Sequence, residues 1–139
     1  MPTVKHLFRA PKKRLPMEEL PEVRVTDNSG FEGCAHARPD SPRQVLLVDS
    51  ETLEAMKLSP GSIRENITTS GLNVNGLEVG QKLRVGETRL EVSAGCTPCD
   101  QLERVRPGLR KEIWGRRGML CRVIEGGIIR RGDLIERLS

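Results

Sequence analysis

The sequence has no tyrosine, one tryptophan and two phenylalanines, so aromatic residues make up only 2% of it. Phe8, Phe31 and Trp114 are too few to form the stacking platforms that single-stranded nucleic-acid binding relies on. The core must therefore be built mainly from Val, Leu and Ile, which suits a compact barrel or sandwich. Long apolar runs are missing as well. No segment approaches the roughly 20 apolar residues of a membrane-spanning helix. The first 15 residues carry positive charge but lack the apolar stretch and small-residue cleavage site of a secretory signal. These absences lead us to expect a cytoplasmic protein with no membrane or nucleic-acid partner, its four cysteines kept reduced.

What is present fits a single domain spanning the 139 residues. A chain of this length buries roughly two-thirds of its unfolded surface, so it needs no disulfide to hold a core. The net charge of +4 permits an anionic partner without demanding one. Alternation of polar and apolar residues predicts strands at 3–9 and 22–26. One helical turn is expected at 17–20. Gln44-Val45-Leu46-Leu47-Val48 is a continuous apolar run and predicts a strand buried on both sides. Asp49 or Ser50 is expected to cap a short helix over 51–57. Residues 62–69 read as a loop entering a strand.

Residues 81–85 and 88–92 form a hairpin around Gly86-Glu87. Two short helical pieces are expected at 100–106 and 108–114, split by Pro107-Gly108. A second hairpin joins 119–124 to 128–130, and a last strand covers 134–138. The tally is about eight short strands and few helices. The fold class expected is mainly β: a closed, mostly antiparallel β-barrel with a few short helices at its rim.

The most telling stretch is Gly95-Cys96-Thr97-Pro98-Cys99-Asp100. Proline directly after a strand places Cys99 on a turn, where its sulfur can face a cleft. A position just before a helix would let the helix dipole favour the thiolate, a soft ligand and good nucleophile. The plainer alternative is a buried structural cysteine. Cys96 and Cys99 together form one Cys-x-x-Cys, which is half of a zinc site or a redox dithiol. Cys34 and His36, two apart, would complete a four-ligand set. Cys121 lies in an apolar alternating strand and reads as core. Trp114 reads as a lid on that core.

Several blocks in fixed order carry a resemblance. They are Gly30-Phe31-Glu32-Gly33 with His36-Ala37, Arg43-Gln44-Val45-Leu46-Leu47, Arg64-Glu65-Asn66-Ile67-Thr68 and Gly71-Leu72. They continue with Gly80-Gln81 and Leu83-Arg84-Val85-Gly86, then Thr97-Pro98-Cys99, Gly115-Arg116-Arg117-Gly118 and Gly132-Asp133. Over residues 31–133 the chain resembles the MOSC domain, the C-terminal module of molybdenum cofactor sulfurases, which also occurs alone in bacteria.

The resemblance implies a β-barrel and a molybdopterin-type molybdenum cofactor held through Cys99, for reductive chemistry or sulfur transfer. The partner is then the cofactor, a protein that donates or accepts its sulfur, or an electron-transfer protein. Arg64, Glu65 and Asn66 would read a pterin edge or phosphate, with Thr68 as a further donor. Arg116 and Arg117, flanked by glycines, would approach the phosphate. His36 would move a proton or contact the anion. Surface charge, a loop hydrogen bond and strand propensity are the plainer readings of these residues. The family's usual Gly-Asp-Arg-His reads Gly33-Cys34-Ala35-His36 here. A pyridoxal-dependent desulfurase domain does not fit in this length, so no bound pyridoxal phosphate is expected. The alternative function is a zinc-stabilised, non-catalytic binding barrel using Cys34, His36, Cys96 and Cys99.

Overall fold

The computed structural model describes residues 1–13 and 15–139. The strands are β1 (Thr3–Arg9), β2 (Glu18–Leu20), β3 (Glu22–Thr26), β4 (Gly30–Phe31), β5 (Val45–Asp49), β6 (Ile67–Ser70), β7 (Lys82–Val85), β8 (Thr88–Gly95), β9 (Met119–Glu125), β10 (Gly127–Arg130) and β11 (Ile135–Leu138). Three short helices accompany them: α1 (Ser50–Ala55), α2 (Leu102–Val105) and α3 (Leu109–Glu112).

The mainly β reading holds, but the closed barrel does not. Eight strands form one open sheet in the order β11-β7-β8-β9-β5-β6-β1-β2, and β10-β3-β4 form a separate three-stranded sheet. The large sheet is mixed, because β5 and β6 run parallel. Across its gap, among the described residues, an isolated bridge pairs Thr3 with Leu134, and backbone bonds join Val4 to Gly132 and Asp133 and Pro2 to Ile135. No strand ladder closes the sheet between its edge strands β2 and β11 among the described residues.

Strand β5 organises the interior. All five of its residues are buried, as the apolar run predicts. Its side chains alternate between two faces. Val45 and Leu47 enter one core cluster with Leu7, Phe31, Ile67, Leu83 and Leu90. Leu46 and Val48 enter a second with Leu53, Ile63, Leu102, Leu109 and Ile113, so the helices cover this face. Each fully buried Leu or Ile contributes roughly 1.5–3 kcal/mol. Asp49 caps α1, its carboxylate accepting from Thr52 N–H at 3.0 Å.

Other expectations fail for identifiable reasons. Residues 18–20 are strand rather than helical turn, pairing antiparallel with β1 from Leu7↔Leu20 to Arg9↔Glu18. Prolines at 16 and 21 leave no room for a helix, and tertiary pairing overrides local preference. Strands β9 and β10 form no hairpin. One residue, Gly126, separates them, fewer than the two of a tight hairpin turn. Instead β10 crosses to pair with β3 in the smaller sheet. Trp114 covers no core, since it is 64% exposed.

The longest ladder, β8 with β9, runs from Arg89↔Glu125 to Gly95↔Met119. One further bond extends it, Cys96 N–H to Gly118 O at 2.9 Å. Gly118 has φ +108, and a Cβ there would collide with the Leu47 carbonyl oxygen. Gly118→Ala is therefore expected to destabilise the protein by roughly 2–3 kcal/mol, read as a lower urea midpoint at unchanged slope. A midpoint equal to wild type would show that this crossing is not tight.

Candidate functional site

Where β8, β9 and β5 reach one end of the large sheet, their loops enclose a cavity of about 300 Å³. The cysteine loop supplies Cys96, Thr97, Cys99 and Gln101 to its wall. Pro98 is buried while Cys99 is exposed, so the proline anchors the loop and the thiol faces outward. Cys96 is half-buried and also packs against the helix-covered core cluster. The helix after Cys99 begins only at Leu102 and is four residues long, a single turn with little macrodipole to offer.

Basic side chains dominate the remaining wall. Among the described residues, Lys13, Arg38, Arg43, Arg64 and Arg117 line the cavity, and no carboxylate does. Arg117 is 8% exposed. Its Nη2 donates to the Ile63 carbonyl at 2.8 Å, while its Nε and Nη1 have no hydrogen-bond partner among the described residues. A buried guanidinium with open donors is costly unless an acceptor meets it. Arg64 reaches the same wall from a left-handed backbone with φ 66, and its Nη1 donates to the Leu15 carbonyl.

The expected residues separate into two groups. Cys99, His36, Arg64, Asn66 and Arg117 come together at the cavity. Glu65, Thr68 and Arg116 do not. Glu65 and Thr68 are fully buried and serve the fold: Glu65 Oε2 accepts from Gly61 N–H and Thr68 Oγ1, each at 2.8 Å. Arg116 lies on the outer surface beside Glu112. Asn66 lines the cavity, yet its amide is committed. Its Oδ1 accepts from Leu46 N–H at 3.0 Å, and its Nδ2 donates to Phe8 O at 3.3 Å and Cys34 Sγ at 3.4 Å.

Sequence reading missed Lys13, Arg38, Arg43 and Gln44. Lys13 reads as loop charge within the basic run Lys12-Lys13-Arg14, of which Arg14 lies outside the described residues. Buried Gln44 pins the Arg38 loop, donating to Arg38 O at 3.1 Å and accepting from Val123 N–H at 2.9 Å. The Arg38–Arg43 spacing around two prolines is the only sequence hint of it.

The four-ligand metal set does not assemble. No three His, Cys, Asp or Glu side chains gather to hold a metal among the described residues. Cys34 is engaged elsewhere. Its sulfur accepts from Ala10 N–H at 3.3 Å and His36 N–H at 3.5 Å, besides the Asn66 amide. Burial pushes this thiol up, but the His36 side chain and the two backbone N–H groups outweigh it, bringing it from 9.0 to about 7. Cys121 is core as expected, and burial pushes it up to about 12.

A model of the MOSC domain matches residues 35–136. Among solved structures, YuaD from Bacillus subtilis is 20% identical with TM-score 0.83, covering 97% of this chain and 94% of its own. YiiM from Geobacillus stearothermophilus is 20% identical with TM-score 0.83, covering 100% and 76%. YiiM from Escherichia coli is 20% identical with TM-score 0.73, covering 97% and 70%. These likenesses concern the fold. A comparison with curated proteins finds no match.

Cys34→Ala is expected to leave three donors without their acceptor and to cost about 1–3 kcal/mol. A pH signature separates charge from packing. The folded value of Cys34 lies below its unfolded one, so its stabilisation is complete above pH 9 and fades as pH falls through 7. The stability gap between wild type and Cys34→Ser should widen by up to about 3 kcal/mol from pH 6 to pH 9. Urea denaturation at three pH values reads it; a constant gap would mean that the thiol stays neutral.

Proposed function

Because the chain belongs to the MOSC domain family, which is associated with molybdenum cofactor-related functions, we propose that its cavity takes a molybdopterin-type cofactor, with Cys99 as sulfur ligand or sulfur carrier. One observation supports this best. A single cavity joins the exposed Cys99 thiol to five cations without a carboxylate, and buried Arg117 has two donor nitrogens open.

The donor set fits such a group. A thiolate is a soft ligand suited to a metal that also binds sulfur. Guanidinium groups suit the phosphate, which they grip in bidentate fashion. A volume of about 300 Å³ falls at the small end of small-molecule pockets. When bound, the cofactor supplies two-electron reduction of a substrate or accepts a transferred sulfur atom.

The chain's own residues do the rest. Arg117 holds the anionic end from below, and its burial strengthens that contact. Arg38, Arg43, Arg64 and Lys13 surround the rim and draw anions toward the opening. Gln101 offers a neutral amide to a polar ring edge. His36 stands at the wall, where its imidazole can donate or accept a hydrogen bond. Cys99 is the only fully exposed thiol, so an incoming sulfur donor or electron-transfer protein meets it first.

The test is elemental analysis of protein purified without oxygen from a host that makes the cofactor. Molybdenum should accompany the wild type and be lost from Cys99→Ala. Arg117→Met, which keeps bulk but loses charge, should retain about tenfold less or lower still. Absence of molybdenum, together with a persulfide on Cys99 found by mass spectrometry, would assign the carrier role. Absence of both would sink the reading.

A further inference from the structure

A second cavity of about 550 Å³ lies against the first, sharing Arg64 and Gln101 as a common wall. Its character is different. Phe8, Leu15, Pro16, Met17, Pro60 and Val105 give it an apolar lining. The floor is firmly built. Gly61 has φ +83, and the Phe8 ring lies so close that a Cβ on Gly61 would stand 2.9 Å from it. Leu15 and Val105 are 46% and 40% exposed. Two of the chain's few exposed large apolar side chains therefore face this one hollow, where water is the poorest partner for them.

The charge in it is of one sign. Among the described residues, Arg64 and Arg104 line the cavity and no carboxylate does. Nearby exposed acids are committed to other groups. Glu112 holds Arg106 at 2.6 Å, and Asp100 holds Arg110 at 2.6 Å. Glu103 accepts from the N–H groups of Gly108 and Arg110 at 2.9 and 3.0 Å. An apolar hollow rimmed by two guanidinium groups matches a ligand with an apolar body and a negative charge.

We infer that this second cavity is a binding site for a small organic anion with an aromatic or branched apolar body, its carboxylate or equivalent lying on Arg104 and Arg64. Resting on the function proposed above, this ligand is the substrate class of the thiol site. Its body packs on Phe8, Met17 and Val105, and its polar end reaches the first cavity past Gln101.

The experiment titrates 2-naphthoate into cofactor-free, isotopically labelled protein and follows backbone amides by NMR. Shifts should centre on Phe8, Gly61, Met17 and Val105, saturating in the millimolar range or below. Arg104→Gln should weaken binding about tenfold, and Val105→Asp should abolish it. Both positions are exposed on α2, and matching circular dichroism spectra check their folding. The neutral 2-naphthamide should bind distinctly more weakly than the acid. Shifts confined to Ala35, Thr97 and Cys99, no saturable shift, equal affinity for the amide, or an unaffected Arg104→Gln would each overturn the inference. No molybdenum enters this measurement. Naphthoate binding without molybdenum retention would sink only the cofactor reading, and the reverse only this one.

Discussion

The arrangement depends on the antiparallel ladder between β8 and β9. That ladder ends at Gly95↔Met119 and is prolonged by the bond from Cys96 N–H to Gly118 O. The chain leaving β8 is the cysteine loop, and the chain entering β9 is Arg117-Gly118. Their register places a thiol-bearing turn and a guanidinium side by side, although about twenty residues of sequence separate them. A slip by one residue would turn Val92 and Cys121 out of the core and reverse every side chain on these strands. The buried alternation that fixes the core thus also fixes the distance between sulfur and cation.

Around this ladder the loops are held by buried polar side chains rather than by strands. Asn66 ties the β6 approach to β5 through Leu46 and to β1 through Phe8. Gln44 ties the arginine loop to β9 through Val123. Cys34 collects N–H donors from three separate segments. Most of these bonds join partners far apart in sequence, as an interior of low dielectric requires. Among the described residues, the buried side-chain atoms without a partner are Glu65 Oε1, Thr69 Oγ1 and two nitrogens of Arg117. Of these three residues only Arg117 lines the cavity, so its open donors are free to meet a ligand's acceptors.

Much of this was legible in the sequence, and the limits follow from physics. The continuous run 44–48 announced a strand buried on both sides, because only such a strand tolerates apolar residues on both faces. The hairpin around Gly86-Glu87 was equally plain. Short-range pattern failed where pairing is decided at long range. Residues 18–20 follow β1, and β10 follows β3, against their local appearance. Closure of a sheet likewise depends on long-range pairing between its edges, which alternation does not report. At the site, Cys99, His36 and Arg117 were visible from their surroundings. Lys13, Arg38 and Arg43 were not, because a loop arginine facing a cavity and one facing solvent look alike in sequence.

The cysteines show why reactivity cannot be read from one property. Cys121 is buried among apolar side chains, and its thiol is pushed up to about 12, which keeps it neutral and inert. Cys34 is brought down to about 7 by His36 and backbone donors, yet it is shut away at 8% exposure. Cys99 lacks such donors but stands open at the cavity mouth beside five cations. Burial and hydrogen bonding together separate these three thiols: Cys121 lies in the core, Cys34 holds loops, and Cys99 is exposed at the cavity.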